Sequence, residues 1–220
     1  MADIRQVDID EGLDALRSEL KYTELRLLSR EATRAFAAPF TALLDRWPAV
    51  RDGQLAAWDA EDAADVAVAN ADDDLDDLVP RVEAAAVRFY GAKDSPGVKR
   101  YMGEDTSKSI QRLGLESQLG RTADWAASLG TLESGAGSIS ERMAAVHVAG
   151  HAALAQRVAA GGARADHRLR VIQTYFDDAN ALRISTYGAL LSYAAEHGLA
   201  TDWARRPFRR GRRRSAKSGD

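Results

Sequence analysis

The chain has 220 residues, of which 45% are hydrophobic, and it contains no cysteine. This apolar fraction suffices for a packed core, and the lack of cysteine excludes disulfides, thiolate zinc sites and cysteine nucleophiles. The polar start does not resemble a signal peptide, and no stretch approaches the ~20 apolar residues of a membrane span. We therefore expect a soluble cytoplasmic protein without a membrane partner, and the Ala, Arg and Asp bias favours a bacterial origin.

Charge divides the chain into two parts. Residues 205–220 hold eight basic side chains and one acid, a net of +7, and since the whole chain carries -3, residues 1–204 carry -10. The change in composition predicts a single helical-bundle domain over 1–204 and a basic, disordered tail over 205–220.

The first half of the chain has the apolar spacing of helices. Apolar residues recur at steps of three and four, and no run alternates as a half-buried strand would. A first stripe runs from Leu13 to Trp47. Pro39 inside it predicts a kink or a split of the helix nearby, and Pro48 predicts its end. A second helix continues across Pro80, where a further kink is expected, and a long loop follows over 91–107.

Three more helices are predicted in the second half, the first of them ending near Leu129. Ser138 and Glu141 form a capping box that starts the next helix, and Gly161–Gly162 predicts either the end of this helix or a bend in it. Asp166 opens the last helix. About five helical segments, several of them long, predict an all-α fold, an elongated antiparallel bundle with coiled-coil-like packing.

The arginines of the basic tail form the first candidate site. Guanidinium groups pair with phosphate, and a run of arginines attracts nucleic acid without sequence preference. Phe208 could either stack on a base or pack on the helical domain. A solubilising tail, or one that folds back on the acidic stretch 59–77, is the alternative. The predicted polyanion-binding residues are Arg205, Arg206, Arg209, Arg210, Arg212, Arg213 and Arg214.

His147 and His151 form the second candidate site. They are four positions apart, so both rings lie on one side of a helix and predict a metal site. Asp177, Asp178 or His197 would have to supply the remaining ligands. The chain lacks the Glu-x-x-His signature of di-iron bundles and the glutamate of the metalloprotease motif, which favours two unrelated histidines as the alternative.

A polar series on the last predicted helix is the third candidate site. Asp177, Asn180, Arg183 and Tyr187 follow one another at steps of three, three and four. Polar groups within an apolar stripe often set helix register, because an unpaired amide in a core costs about 1–3 kcal/mol. We predict a buried polar cluster, with a ligand site as the alternative.

No catalytic signature accompanies these candidates, since the sequence contains no phosphate-binding loop, nucleophile elbow or dinucleotide fingerprint. We therefore expect a non-enzymatic interaction or scaffold protein without a cofactor, which forms a homodimer through its long helices. One alternative is a protein that binds nucleic acid or an acidic protein surface through its tail. The other is a metal-binding helical-bundle enzyme.

Overall fold

The structure is a computed structural model that describes residues 4–131 and 137–209. Every element in these residues is helical and none is a strand, so the predicted all-α class is confirmed. No helix in this part of the chain is both long and apolar enough to cross a membrane. The α-helices are α1 (Leu13–Leu28), α2 (Glu31–Arg34), α3 (Ala38–Tyr90), α4 (Pro96–Met102), α5 (Ser107–Ile110), α6 (Leu115–Arg121), α7 (Trp125–Leu129), α8 (Gly137–His167) and α9 (Gln173–Glu196). Two 3₁₀-helices span Ile9–Glu11 and Thr201–Arg205, and a π-helix spans Arg168–Ile172.

The 53-residue helix α3 contains three prolines, one in its first turn and two in its interior. Pro39 lies in its first turn, where the backbone N–H has no intrahelical partner, so this proline starts a helix instead of kinking one. The helix continues through Pro48 and Pro80, and the predicted end at Pro48 is therefore wrong. A proline costs a helix interior about 3 kcal/mol, but burial of neighbouring apolar residues such as Val79 outweighs that local penalty.

The glycine pair of the second half is also helical. α8 continues through Gly161–Gly162 and joins α9 through the π-helical turn, so the predicted end at this pair is wrong. Ion pairs to α3 lie on both sides of the glycines. Arg157 Nε is 2.9 Å from Asp65 Oδ1, and Arg164 pairs with Glu61. Glycine weakens a helix but does not break one that is packed along a neighbour.

The predicted loop 91–107 contains helix α4. Ser95 caps this helix by accepting a hydrogen bond from the Val98 N–H at 3.4 Å, and Pro96 occupies its first turn. Gly103 ends it with a φ of +65°, a conformation that side chains disfavour. Ser95, Pro96 and Gly103, which the sequence suggested as loop residues, therefore mark the start and the end of a short helix.

Contacts divide the chain into two compact units. Unit 1 consists of residues 1–56 and 165–220, and unit 2 consists of residues 57–164. The core of unit 1 includes Leu16 and Leu20 of α1, Phe40 of α3 and Phe176 of α9. Unit 1 thus combines the beginning and the end of the chain.

The core of unit 2 surrounds two aromatic rings. Tyr101 and Trp125 meet edge to face, with ring centroids 5.9 Å apart, and both are almost fully buried. Gly150 of α8 packs against Leu119 of α6, whose Cδ1 would lie 3.0 Å from any added Cβ. Small residues of this kind allow helices to approach closely.

Candidate functional site

The first residues of the predicted tail pack on unit 1. Phe208 is 4% exposed and belongs to the core of unit 1, where its ring meets Tyr187 with centroids 6.0 Å apart. Phe208 therefore packs on the helical domain and does not present its ring to a base. The remaining arginines of the predicted site lie outside the described residues; they are Arg210, Arg212, Arg213 and Arg214.

Three tail arginines line a groove together with residues of α1. The groove has a volume of about 460 Å³, and Asp202 is the one acid among the described residues that line it. Arg26 of α1 did not stand out in the sequence, because a lone exposed arginine on a helix gives no functional signal. We name this surface the arginine groove, and it is lined by Tyr22, Arg26, Asp202, Arg205, Arg206, Phe208 and Arg209.

Contacts to neighbouring groups orient the arginines of the groove. Arg26 donates from Nε to the backbone oxygen of Arg206 at 3.3 Å, which ties α1 to the C-terminal segment. Arg205 donates from Nε to the hydroxyl of Tyr187 at 3.2 Å. Each of these bonds uses one of the five N–H donors of a guanidinium group and fixes the orientation of its arginine in the groove.

Arg209 makes two contacts with α1. Its guanidinium carbon lies 4.9 Å from the centre of the Tyr22 ring, within the range of a cation–π interaction. Its Nη1 also lies 3.6 Å from Oε1 of Glu19. The last described arginine is therefore held against α1 by an aromatic ring and a carboxylate.

Glu19 lies between Arg209 and a second, buried arginine. Oε2 of Glu19 is 3.5 Å from Nη2 of Arg183, which is 1% exposed. Burial lowers the pKa of Arg183, and the charge of Glu19 opposes this effect. Nε and Nη1 of Arg183 are buried, and none of the residues that the structure describes hydrogen-bonds to them. Glu19 thus compensates a charge that would otherwise be costly to bury.

The four residues of the predicted polar series on α9 differ in how deeply they are buried. Arg183 is buried, whereas Asn180 and Tyr187 are half-buried. Asp177 is exposed and accepts a hydrogen bond from Gln173 Nε2 at 3.0 Å, so including Asp177 in a buried cluster was wrong. At the start of α9, Asp177 lies on the solvent side of the helix.

The other three members of the series contact three different segments of unit 1. Asn180 bonds the backbone of Val7, Arg183 pairs with Glu19, and Tyr187 accepts from Arg205. This arrangement favours a structural role for the series, because each polar group joins α9 to a different segment of unit 1, and Val7 and Glu19 are more than 160 positions away in the chain.

The two histidines of the predicted metal site lie in unit 2. Their ring centroids are 6.2 Å apart, and His147 Nε2 lies 2.8 Å from the hydroxyl of Thr122. Burial lowers the pKa of His147, whereas His151 is exposed. In residues 4–131 and 137–209, no three His, Cys, Asp or Glu side chains form a group that could hold a metal ion.

The residues suggested as further metal ligands belong to unit 1 and have other contacts. Asp178 accepts from Arg46 at 2.9 Å, and His197 Nδ1 lies 2.9 Å from the backbone oxygen of Tyr193. These contacts provide no support for a metal centre that includes His147.

The acidic stretch 59–77 of α3 is partly packed. Asp76 Oδ1 accepts from Nε2 of the fully buried Gln118 at 2.6 Å. Burial raises the pKa of Asp72, and the nearby carboxylates of Asp76 and Asp73 raise it further. This stretch therefore contains at least one carboxylate whose charge is destabilised.

Comparisons with known proteins do not connect the chain with a family. No family model matches it, and neither a curated protein nor a solved structure does. Its function has to be inferred from the arrangement of its own side chains.

Proposed function

We propose that this protein is a non-enzymatic interaction protein that binds nucleic acid through the arginine groove. The observation that carries the proposal is the convergence of Arg26 with Arg205, Arg206 and Arg209 on one groove. Arg26 and Arg206 are 180 positions apart in the chain and are joined by a hydrogen bond. The fold thus adds a fourth arginine to the basic segment.

The charge of the groove supports a phosphate-bearing ligand. Among the described residues, four arginines and one acid, Asp202, line the groove, and Glu19 beside it offsets part of the charge of Arg209. The guanidinium group donates two parallel N–H bonds to phosphate, which makes arginine well suited to nucleic acid. The excess negative charge of residues 1–204 would repel a polyanion, but salt screens exposed charges beyond ~8 Å at physiological ionic strength. We therefore expect a small footprint centred on the groove.

Binding of a fluorescent oligonucleotide, followed by anisotropy at several salt concentrations, tests the proposal. Affinity should fall steeply with salt, because each phosphate contact releases counterions. A triple variant with Arg205→Gln, Arg206→Gln and Arg209→Gln should bind at least about tenfold more weakly at low salt, and its salt dependence should be shallower. The corresponding triple lysine variant keeps the charge and should lose less affinity.

A matched control removes the same charge from unit 2. The control variant carries Arg88→Gln, Arg112→Gln and Arg142→Gln, which change three exposed arginines that do not line the arginine groove. This variant should bind almost as well as the parent. Equal affinities for the two triple glutamine variants would contradict the proposal, as would the absence of any binding at low salt.

The buried position of Phe208 decides how the tail should be shortened. Truncation after Ala204 removes a core residue and would confuse lost binding with lost folding. Truncation after Arg209 keeps Phe208 and removes Arg210 to Arg214, so it measures the contribution of the outer arginines alone.

A further inference from the structure

Three aromatic rings stack in unit 1 near the end of α9. The ring of Tyr193 lies parallel to His197, with centroids 3.9 Å apart and 15° between the planes. Trp203 stacks on the same tyrosine at 5.5 Å and 19°. Phe36 meets Tyr193 edge to face at 6.4 Å. We name His197, Tyr193 and Trp203 the aromatic stack.

The aromatic stack and the arginine groove adjoin one another. Trp203 lines a small cleft whose other walls include Arg26, Arg30 and Arg206. Arg26 and Arg206 also line the arginine groove. Trp203 therefore places one end of the aromatic stack beside the arginine groove.

His197 is the exposed member of the stack. Tyr193 and Trp203 are half-buried, and Trp203 packs against the core of unit 1, whereas His197 is exposed. The contact of its Nδ1 with the Tyr193 backbone oxygen, at 2.9 Å, holds the imidazole ring parallel to the tyrosine. The surface thus presents a flat ring in a defined orientation.

We propose that the ligand is a single-stranded nucleic acid, whose phosphates bind the arginine groove and one of whose bases stacks on the aromatic stack at His197. This inference rests on the proposed function and adds the strandedness of the ligand. A basic groove combined with aromatic stacking surfaces is characteristic of single-strand binding, because unpaired bases expose their faces. A duplex keeps those faces inside its own stack and offers phosphates alone.

Three fluorescent probes of equal length separate the contributions of phosphate and base. They are a single strand, its duplex and an abasic strand that keeps the phosphates but lacks bases. At one salt concentration we expect the single strand to bind more tightly than either of the others. His197→Ala should weaken single-strand binding at least about fivefold, and should leave the abasic strand unchanged. His197→Phe keeps a flat ring and should retain most of the affinity.

Controls separate failure of this inference from failure of the proposed function. His151→Ala removes an exposed histidine from unit 2 and should have no effect, and thermal unfolding checks that each variant is folded. Equal affinity for all three probes, or an equal loss on the base-bearing and abasic strands with His197→Ala, would contradict the stacking inference. Binding that does not respond to the groove substitutions would contradict the proposed function itself.

Discussion

The side-chain amide of Asn180 binds both backbone groups of Val7, a residue 173 positions earlier in the chain. Its Oδ1 accepts from the Val7 N–H at 3.0 Å, and its Nδ2 donates to the Val7 oxygen at 2.9 Å. An amide combines an acceptor with two donors, so it can pair with a backbone as another peptide group would. Val7 is 2% exposed, and the amide therefore anchors the N-terminal segment in the core of unit 1.

Replacing Asn180 with alanine should lower the free energy of unfolding by about 1–3 kcal/mol, because both Val7 backbone groups lose their partner. Urea unfolding measures the loss, and hydrogen exchange at the Val7 amide should accelerate. Asp177→Ala changes an exposed residue of the same helix and should stay within about 0.5 kcal/mol of the parent. Equal effects of the two substitutions would show that the amide contributes nothing.

Neutralising Glu19 should destabilise unit 1 strongly. Glu19→Gln leaves the buried charge of Arg183 without its counterion, and breaking a buried pair in this way costs about 3–5 kcal/mol. The double variant Glu19→Leu with Arg183→Met removes both charges and should recover most of the loss. A double-mutant cycle that adds the single variants Glu19→Leu and Arg183→Met measures the coupling as a difference of unfolding free energies. Arg209→Gln alone is the control for the second contact of Glu19. If none of these substitutions changed the unfolding free energy appreciably, Glu19 would not be the counterion of Arg183.

Asp72 should make the folded protein less stable as pH rises, whereas a carboxylate paired with a cation makes a protein more stable as pH rises. Its pKa is raised in the folded state, so the folded protein holds this proton more tightly than the unfolded chain does. The stability that protonated Asp72 contributes is fully present below the ordinary carboxyl pKa. It is lost as pH rises through the raised pKa of the folded state.

Asp72→Asn should therefore raise the thermal midpoint at about pH 7, and the gain should disappear at about pH 3, where the carboxyl is protonated in both states. Asp73→Asn is the control, because Asp73 is exposed on the same helix. A lower midpoint for Asp72→Asn at pH 7 would mean that the charged form is stabilised in the folded protein.

Two glycines of unit 2 should respond oppositely to the same substitution. A Cβ on Gly97 would lie 2.3 Å from Cγ and Cδ1 of the Tyr90 ring, whereas one on Gly161 meets nothing within 4 Å. Gly161→Ala should increase the unfolding free energy by about 0.5–1 kcal/mol, because alanine favours the helix. Gly97→Ala should decrease it by about 1–3 kcal/mol through overpacking. Chemical denaturation of both variants checks the signs, and a stabilising Gly97→Ala would contradict the packing shown here.

The sequence alone determined that the protein is helical, because apolar spacing is a local property of the chain. It also identified Asn180 and Arg183 as polar residues within an apolar stripe, and it allowed Phe208 to pack on the helical domain. The homodimer, the cytoplasmic location and the single domain over 1–204 stay predictions.

The tertiary structure decided where helices continue and which polar groups meet. Pro48 and Gly161–Gly162 read locally as helix ends, but long helices pass through them. The buried Val50 anchors α3 beside Pro48, and ion pairs to Asp65 and Glu61 hold α8 against α3 on both sides of the glycines. The pairing of Arg26 with the C-terminal segment, and of Glu19 with Arg183, joins residues far apart in the chain. No periodicity encodes such contacts, since they arise only when the folded core of unit 1 brings both ends of the chain together.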